Sequence, residues 1–178
     1  MQKSTNCVFF DTDCLSSFLK IDREDIFLKL IKEKIVIPDN VYSELLQHNK
    51  LSVKIDKLLQ EEKVETMSLY LDDMTFNYYQ EMTSPKSKKI IGAGEAEAIA
   101  LCKANNGILA SNNIKDVSFY VKKYEIKHVT TADILYEAIQ EGIINSEEAN
   151  AIWKQMINKR IMLPSQSFDD YFDNQTSL

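Results

Sequence analysis

Four acidic residues stand where an α/β protein does its chemistry: Asp11, Glu44, Glu95 and Asp116. Each follows an apolar run or lies on a helix beside one. Carboxylates brought together from separate elements would make an oxygen-rich pocket for Mg2+ or Mn2+, hard ions that prefer oxygen ligands and keep several waters. Without the ion such groups repel one another. Asp13 follows Asp11 by two residues, and alternate residues of an extended segment point apart. It is therefore expected to be a helix cap or a hydrogen-bond partner rather than a ligand. Glu95 and Glu97 are separated by about 200° of helix rotation, so only one of them can enter the cluster. Glu95 shares a face with Ile99 and Cys102 near the helix start, where the helix dipole tolerates negative charge. Glu97 is then a supporting or solvent-facing residue.

The elements that must position these groups alternate. Cys7-Val8-Phe9-Phe10 reads as a strand buried on both faces, ending at Asp11-Thr12-Asp13. Helical material from Leu15 to about Ile31 leads to a second strand at Ile35-Val36-Ile37, closed by Pro38-Asp39. A helix through Val41–Leu46 carries Glu44. Leu51 to Leu59 repeats apolar residues at helical spacing, and Val64 to Leu69 is a weaker strand. Thr83–Lys89 is a polar, basic loop leading to Gly92-Ala93-Gly94 and an Ala-rich helix from Glu95 to about Asn105. Gly107 ends that helix. Ile108-Leu109-Ala110 forms the next strand, a helix runs from about Asp116 to Tyr124, and a short strand lies near His128-Val129. A helix from Thr131 to Glu141 has Thr131 as its cap, and another starts at Ser146 and reaches about Arg160. This order predicts an α/β fold with a central parallel sheet, in which the four acids meet at the carboxyl edge.

With 178 residues, 44% hydrophobic and 27% charged, the chain is long enough to bury a core of its own. The expectation is one domain over 1–163 and a polar tail over 164–178. Cys7, Cys14 and Cys102 are odd in number and sit in apolar runs without metal or disulfide spacing, as in a reducing compartment. No apolar run approaches the ~18 residues of a membrane span, and the start carries no apolar leader, so a cytoplasmic protein is expected. The formal charge of −6 argues against a broad electrostatic grip on nucleic acid. It does not exclude a nuclease, because bound metal offsets carboxylate charge.

Five ordered blocks, VFFDTDCL, IVIPDNVYSEL, GAGEAEAIALC, GILASNNIKDV and HVTTADILYEAIQEGIINSEEA, together resemble PIN-domain proteins across roughly residues 7 to 163. The resemblance implies a three-layer α/β/α fold and a metal-dependent endoribonuclease. Bound Mg2+ or Mn2+ would activate a water for in-line attack on phosphorus, leaving 3′-hydroxyl and 5′-phosphate ends. It makes Asp11, Glu44 and Glu95 the first three acidic ligands. Where many PIN sequences carry an Asp after the fourth strand, this chain has Asn112 and Asn113. Asn113 can ligate through its carbonyl oxygen without charge, and Asp116 is the next acid. Many family members are toxins blocked by an antitoxin protein, and relatives often dimerise, so RNA, an antitoxin and a second copy are the implied partners.

Asp116 fits an N-cap as well as a ligand. Lys86, Lys88 and Lys89 read as a solvated loop that also lies close enough in sequence to Glu95 to meet a phosphate. Tyr78 and Tyr79 are read as packing residues, His48 and His128 as isolated. Ile152, Trp153 and Met156 fit either a core or a dimer face. Two other functions stay open. The Asn pair leaves room for a weak or inactive PIN-like module that binds RNA or protein. Asp11-Thr12-Asp13-Cys14-Leu15 also resembles the aspartate motif of haloacid-dehalogenase-like phosphatases, although GAGEAEAIALC stands where that family needs its later elements.

Overall fold

Cys7–Phe10 (β1) has no polar face. In a computed structural model, which describes residues 7–70 and 74–176, it lies at the centre of a parallel sheet. Val8 and Phe10 enter one core and Phe9 the other, as the two-residue period of a strand requires. From β1 the chain passes through α1 (Thr12–Leu19), α2 (Asp25–Leu30), β2 (Lys34–Pro38), α3 (Asp39–Leu46), α4 (Asn49–Gln60) and β3 (Glu65–Met67). It continues through α5 (Met74–Thr83), α6 (Ala93–Asn105), β4 (Ile108–Ala110), α7 (Ile114–Tyr124) and β5 (Lys127–Val129). It finishes with α8 (Thr131–Gln140), α9 (Ser146–Asn158) and α10 (Phe168–Thr176).

Among the described residues the sheet has five strands in the order β3-β2-β1-β4-β5, all parallel. Phe9 pairs with Val36 on one side and Leu109 on the other. The chain thus builds outward from β1 to β3, then returns through α5 and α6 to place β4 on the opposite side of β1. That reversal opens a crevice beyond the carboxyl ends of β1 and β4, where parallel sheets bind ligands. The sequence places Asp11 and Ser111-Asn112-Asn113 at those two strand ends.

Helices cover both faces, giving the expected three layers. On one face, Phe10, Phe18 and Phe27 meet with ring centroids 5.1 and 5.5 Å apart, joined by residues of α3, α4, α8 and α9. Each such fully buried Phe stabilises by about 1.5–3 kcal/mol. The other face is built from α6 and α7. Residues Gly94 and Ala96 to Cys102 of α6 are buried in succession, the mark of a helix enclosed on all sides. Its small Ala and Gly side chains let it pack that closely. Ile152, Trp153 and Met156 are core residues, at most 1% exposed. Cys14 and Cys102 are buried, and all three cysteines are free. Among the described residues no helix is long and apolar enough to cross a membrane.

The structure departs from the sequence reading in several places. The helical stretch from Leu15 to Ile31 is two helices, because the chain turns at Asp22, whose φ of +57° is left-handed. Gly107 is not the left-handed residue that ends α6. Asn106 is, with φ +51°, and Gly107 is required because a Cβ there would lie 2.6 Å from the Phe9 ring. The cap of α8 is Thr130, which accepts the Asp133 N–H, rather than Thr131. α5 was not foreseen. Beyond Pro164 the expected polar tail forms α10, whose Phe168 is fully buried against Trp153 at 5.4 Å between rings. Residues 1–6 and 71–73 of the expected domain and 177–178 of the expected tail lie outside the described residues.

Candidate functional site

Asp11 ties β1 to β4 and starts α1. Its N–H donates to the Ala110 carbonyl at 2.9 Å, and its Oδ1 accepts the Cys14 N–H at 2.8 Å. The side chain is only 3% exposed. Burial pushes its carboxyl from the ordinary 3.8 up to about 7, against the pull of hydrogen bonds from Ser111 and the Cys14 N–H. The charges of Asp13 and Glu95 push the same way, so these three carboxylates share one field. Asp11 itself is the cap of α1. Asp13, read as a cap or a hydrogen-bond partner, is exposed in the first turn and adds negative charge to the crevice.

Glu95 stands in the first turn of α6, where one carboxylate oxygen accepts the Gly92 N–H at 3.1 Å. The other accepts the Asn113 side-chain amide at 2.6 Å. Burial raises its pKa, with further contributions from Asp116 and Asp13. The same Asn113 NH2 donates to Asp116 Oδ2 at 2.7 Å. The opposite amide orientation would set a carbonyl oxygen against two carboxylates, so chemistry fixes this one. Asn113 thereby supplies part of the positive potential that holds Glu95 and Asp116 together. Asp116 is not an N-cap but the third residue of α7, and Lys89 Nζ lies 3.6 Å from its Oδ1.

Glu44, on α3, accepts the Thr12 hydroxyl. A Cβ on Gly94 would fall 2.9 Å from its Oε1, so the glycine makes room for this carboxylate at the start of α6. Glu44 is therefore one residue removed from Asp11 through Thr12 and from Glu95 through Gly94. Asn112, the other Asn of the pair, faces elsewhere. Its amide donates to the hydroxyls of Thr131 and Ser17 at 2.9 and 3.2 Å, and its oxygen accepts the Thr131 N–H at 2.8 Å. It braces the loop after β4 against α1 and α8.

Of the two places the sequence left open for Glu97, the structure gives it the supporting one. It is 2% exposed, not solvent-facing, and accepts the Asn40 N–H at 2.6 Å. The N-cap of α3 is Pro38, which has no side-chain acceptor, so α6 provides the acceptor that α3 lacks. Burial raises the Glu97 pKa, and the charge of Asp39 adds to it while the Asn40 N–H opposes. Because α3 also carries Glu44, Glu97 positions that residue at second hand. The sequence signal for this role is a proline at a helix entry together with an acid on the far face of an adjoining helix. Tyr78 packs edge-on to Tyr124 at 5.1 Å and Tyr79 stacks on Phe76. His128 Nε2 meets the Ser111 carbonyl at 2.8 Å.

Among the described residues no three Asp, Glu, His or Cys side chains form a ready-made metal cage. The donors present are nonetheless all oxygen, and burial together with the charges of neighbouring carboxylates raises the proton affinity of Asp11 and Glu95. That is the chemistry of a site for a hydrated ion such as Mg2+, which takes one or two direct carboxylates and keeps its waters. The donor set fits such an ion. It does not fit a closed, dehydrated cage.

The family comparison agrees with this reading of the fold. Residues 7–174 match the model of a PIN-domain family, DUF3368. That match includes Asp11–Leu15 and so displaces the phosphatase resemblance. A comparison with curated protein sequences gives no match. Among solved structures, the chain is similar to VapBC2 from Rickettsia felis bound to a DNA fragment from their promoter. The identity is 18% and the TM-score 0.53, with 70% of this chain and 98% of that one covered. It is also similar to VapBC-1 from nontypeable Haemophilus influenzae, with 18% identity, a TM-score of 0.51 and the same coverage. These likenesses show a shared fold. With a parallel five-stranded sheet, an acidic crevice at its switch point and a family match over nearly the whole chain, this protein belongs to the PIN-domain family.

Proposed function

We propose that the chain is a metal-dependent endoribonuclease whose catalytic carboxylates are Asp11, Glu44, Glu95 and Asp116. The observation that carries the reading is Asp11. It is a buried carboxylate at the end of the central strand, with its pKa pushed to about 7 in a field shared with Asp13 and Glu95. A site of that kind is poised for a cation. Bound Mg2+ or Mn2+, held by Asp11, Glu95 and Asp116 with Glu44 and the Asn113 carbonyl oxygen in support, would supply a low-pKa water and offset phosphate charge. Asn113 would have to turn its amide to take part, releasing Glu95 and Asp116. Asp11 and Glu95 would orient the attacking water, and Glu97 holds the start of the helix bearing Glu44. The substrate class and the partners are carried over from the PIN resemblance. The substrate is RNA, and the biological setting is that of a toxin held inactive by an antitoxin, with a homodimer as the assembly.

The test is incubation of the purified chain with mixed labelled RNAs in Mn2+, Mg2+ and EDTA, with product ends mapped. Metal-dependent cuts with 5′-phosphate ends support the proposal. RNA left intact in all three conditions opposes it.

A second reading draws on Asn113, whose uncharged amide stands where many relatives carry a carboxylate. On that reading the chain is a PIN-like module that binds RNA or protein without cutting. Titration calorimetry separates the two: Mn2+ uptake that disappears in Asp11→Asn favours the nuclease, and its absence in the parent chain favours the module.

A further inference from the structure

We propose that one RNA strand crosses the carboxylate cluster with its phosphates seated in two cationic clefts, one on each side. The cutting of that strand rests on the nuclease reading above, whereas its binding does not. The first cleft, of about 350 Å3, carries Lys20 and Arg160 and is also lined by Asp13 and Asn113. The second, of about 610 Å3, carries Lys86, Lys88 and Lys122 beside Phe119 and Tyr120.

Three contacts in series join the clefts through the acidic site. Asn113 of the first cleft donates to Asp116 at 2.7 Å. Asp116 pairs with Lys89 at 3.6 Å. The Lys89 carbonyl accepts the hydroxyl of Tyr120, which lines the second cleft. A strand lying along this path would pass over Glu95 and Asp116 with cations before and after them.

The charge distribution is uneven in the sense that this requires. The chain carries −6 overall, yet residues 86–127 hold eight Lys against four Asp and Glu. Lys89 and Lys123 are paired with Asp116 and Glu81. Among the described residues, Lys20, Lys86, Lys88, Lys122 and Arg160 have no carboxylate within 4 Å, and all five are exposed. Phe119 is 40% exposed in the second cleft, and an exposed ring among lysines is a stacking platform for an unpaired base. An acidic peptide would use the lysines and leave that ring idle, so the surface favours single-stranded RNA.

The experiment measures binding of a labelled single-stranded RNA to the full chain in EDTA, as a function of salt. The parent chain is compared with Lys86→Ala/Lys88→Ala/Lys122→Ala and with Lys20→Ala/Arg160→Ala. Each phosphate contact contributes about −0.7 to the slope of log K against log salt for a single strand. The triple variant is expected to flatten the slope by up to about 2 and the double variant by up to about 1.4. Binding at 0.1 M salt should weaken by up to about a hundredfold in the triple variant and up to about 25-fold in the double. Phe119→Ala should weaken binding severalfold without changing the slope. Equal slopes in all chains, with unchanged melting temperatures, overturn the proposal, as does polyglutamate binding to the same lysines as tightly as RNA. Metal-dependent cleavage with unaltered slopes leaves the nuclease and removes the clefts. Flattened slopes without cleavage leave the clefts and remove the nuclease.

Discussion

Replacing Asp11 with Asn should make the metal-free protein more stable while abolishing its activity. The carboxylate is 3% exposed, and its pKa moves from 3.8 to about 7. A carboxyl whose folded pKa is raised favours the folded state only while it is protonated. Relative to unfolding, the cost of ionising it is absent below pH 3.8, grows with pH, and is complete above about 7. At about 1.4 kcal/mol per tenfold change in proton affinity, the ceiling is about 4 kcal/mol. Relaxation and water entry reduce this, so a gain of about 1–3 kcal/mol at pH 8 is expected. Asn keeps an oxygen to accept the Cys14 N–H, so the cap of α1 survives. Urea unfolding in EDTA at several pH values measures the difference. The advantage of Asp11→Asn should widen from pH 5 to about 7 and then level off. Excess Mn2+ should reverse the order, because a ligand at about a thousandfold over its Kd stabilises the parent by about 4.1 kcal/mol. If Asp11→Asn is less stable than the parent in EDTA at pH 8, or if the gap does not change with pH, then Asp11 is an ordinary cap and the electrostatic reasoning fails.

Three further outcomes follow from the same geometry. Asn113→Asp removes two amide hydrogen bonds and adds a like charge between Glu95 and Asp116. It should destabilise the metal-free chain by about 1–3 kcal/mol and tighten Mn2+ binding at least severalfold in calorimetry. Gly94→Ala puts a Cβ 2.9 Å from Glu44 Oε1 and should lower kcat of RNA cleavage about tenfold through displacement of that carboxylate. Its thermal stability should stay within about 1 kcal/mol, since the clash is with the end of a flexible side chain. Glu97→Ala leaves the Asn40 N–H without its acceptor and should cost about 1–3 kcal/mol in urea unfolding. Glu97→Gln, which still offers an oxygen, should recover most of that loss.

The parts of the fold most legible in the sequence were those with a single physical cause. Phe9 and Phe10 in one unbroken apolar run could only be a strand buried on both faces, and that strand had to end at Asp11. The parallel order followed from alternation, and the crevice followed from the order. Other parts depend on contacts made far along the chain. α5 buries only Thr75 and Met82 among its described residues, too few to mark a helical face. α10 presents Phe168 and Tyr171 inward from a chain of Asp, Asn and Gln, and composition alone reads it as a tail. Helix rotation correctly separated Glu95 from Glu97, but it could not show that the far face of α6 meets the open start of α3. Nor could the sequence tell Asn112 from Asn113. Only the loop after β4 decides which amide braces Thr131 and which joins the acids.

The account stands most directly on one comparison, in which parent chain, Asp11→Asn and Glu95→Gln act on the same labelled RNA pool in Mn2+, with EDTA controls. It predicts 5′-phosphate products from the parent in Mn2+ alone, and a loss of at least a hundredfold in rate for both variants while each remains folded. Cleavage that persists in the variants, or that continues in EDTA, would contradict it.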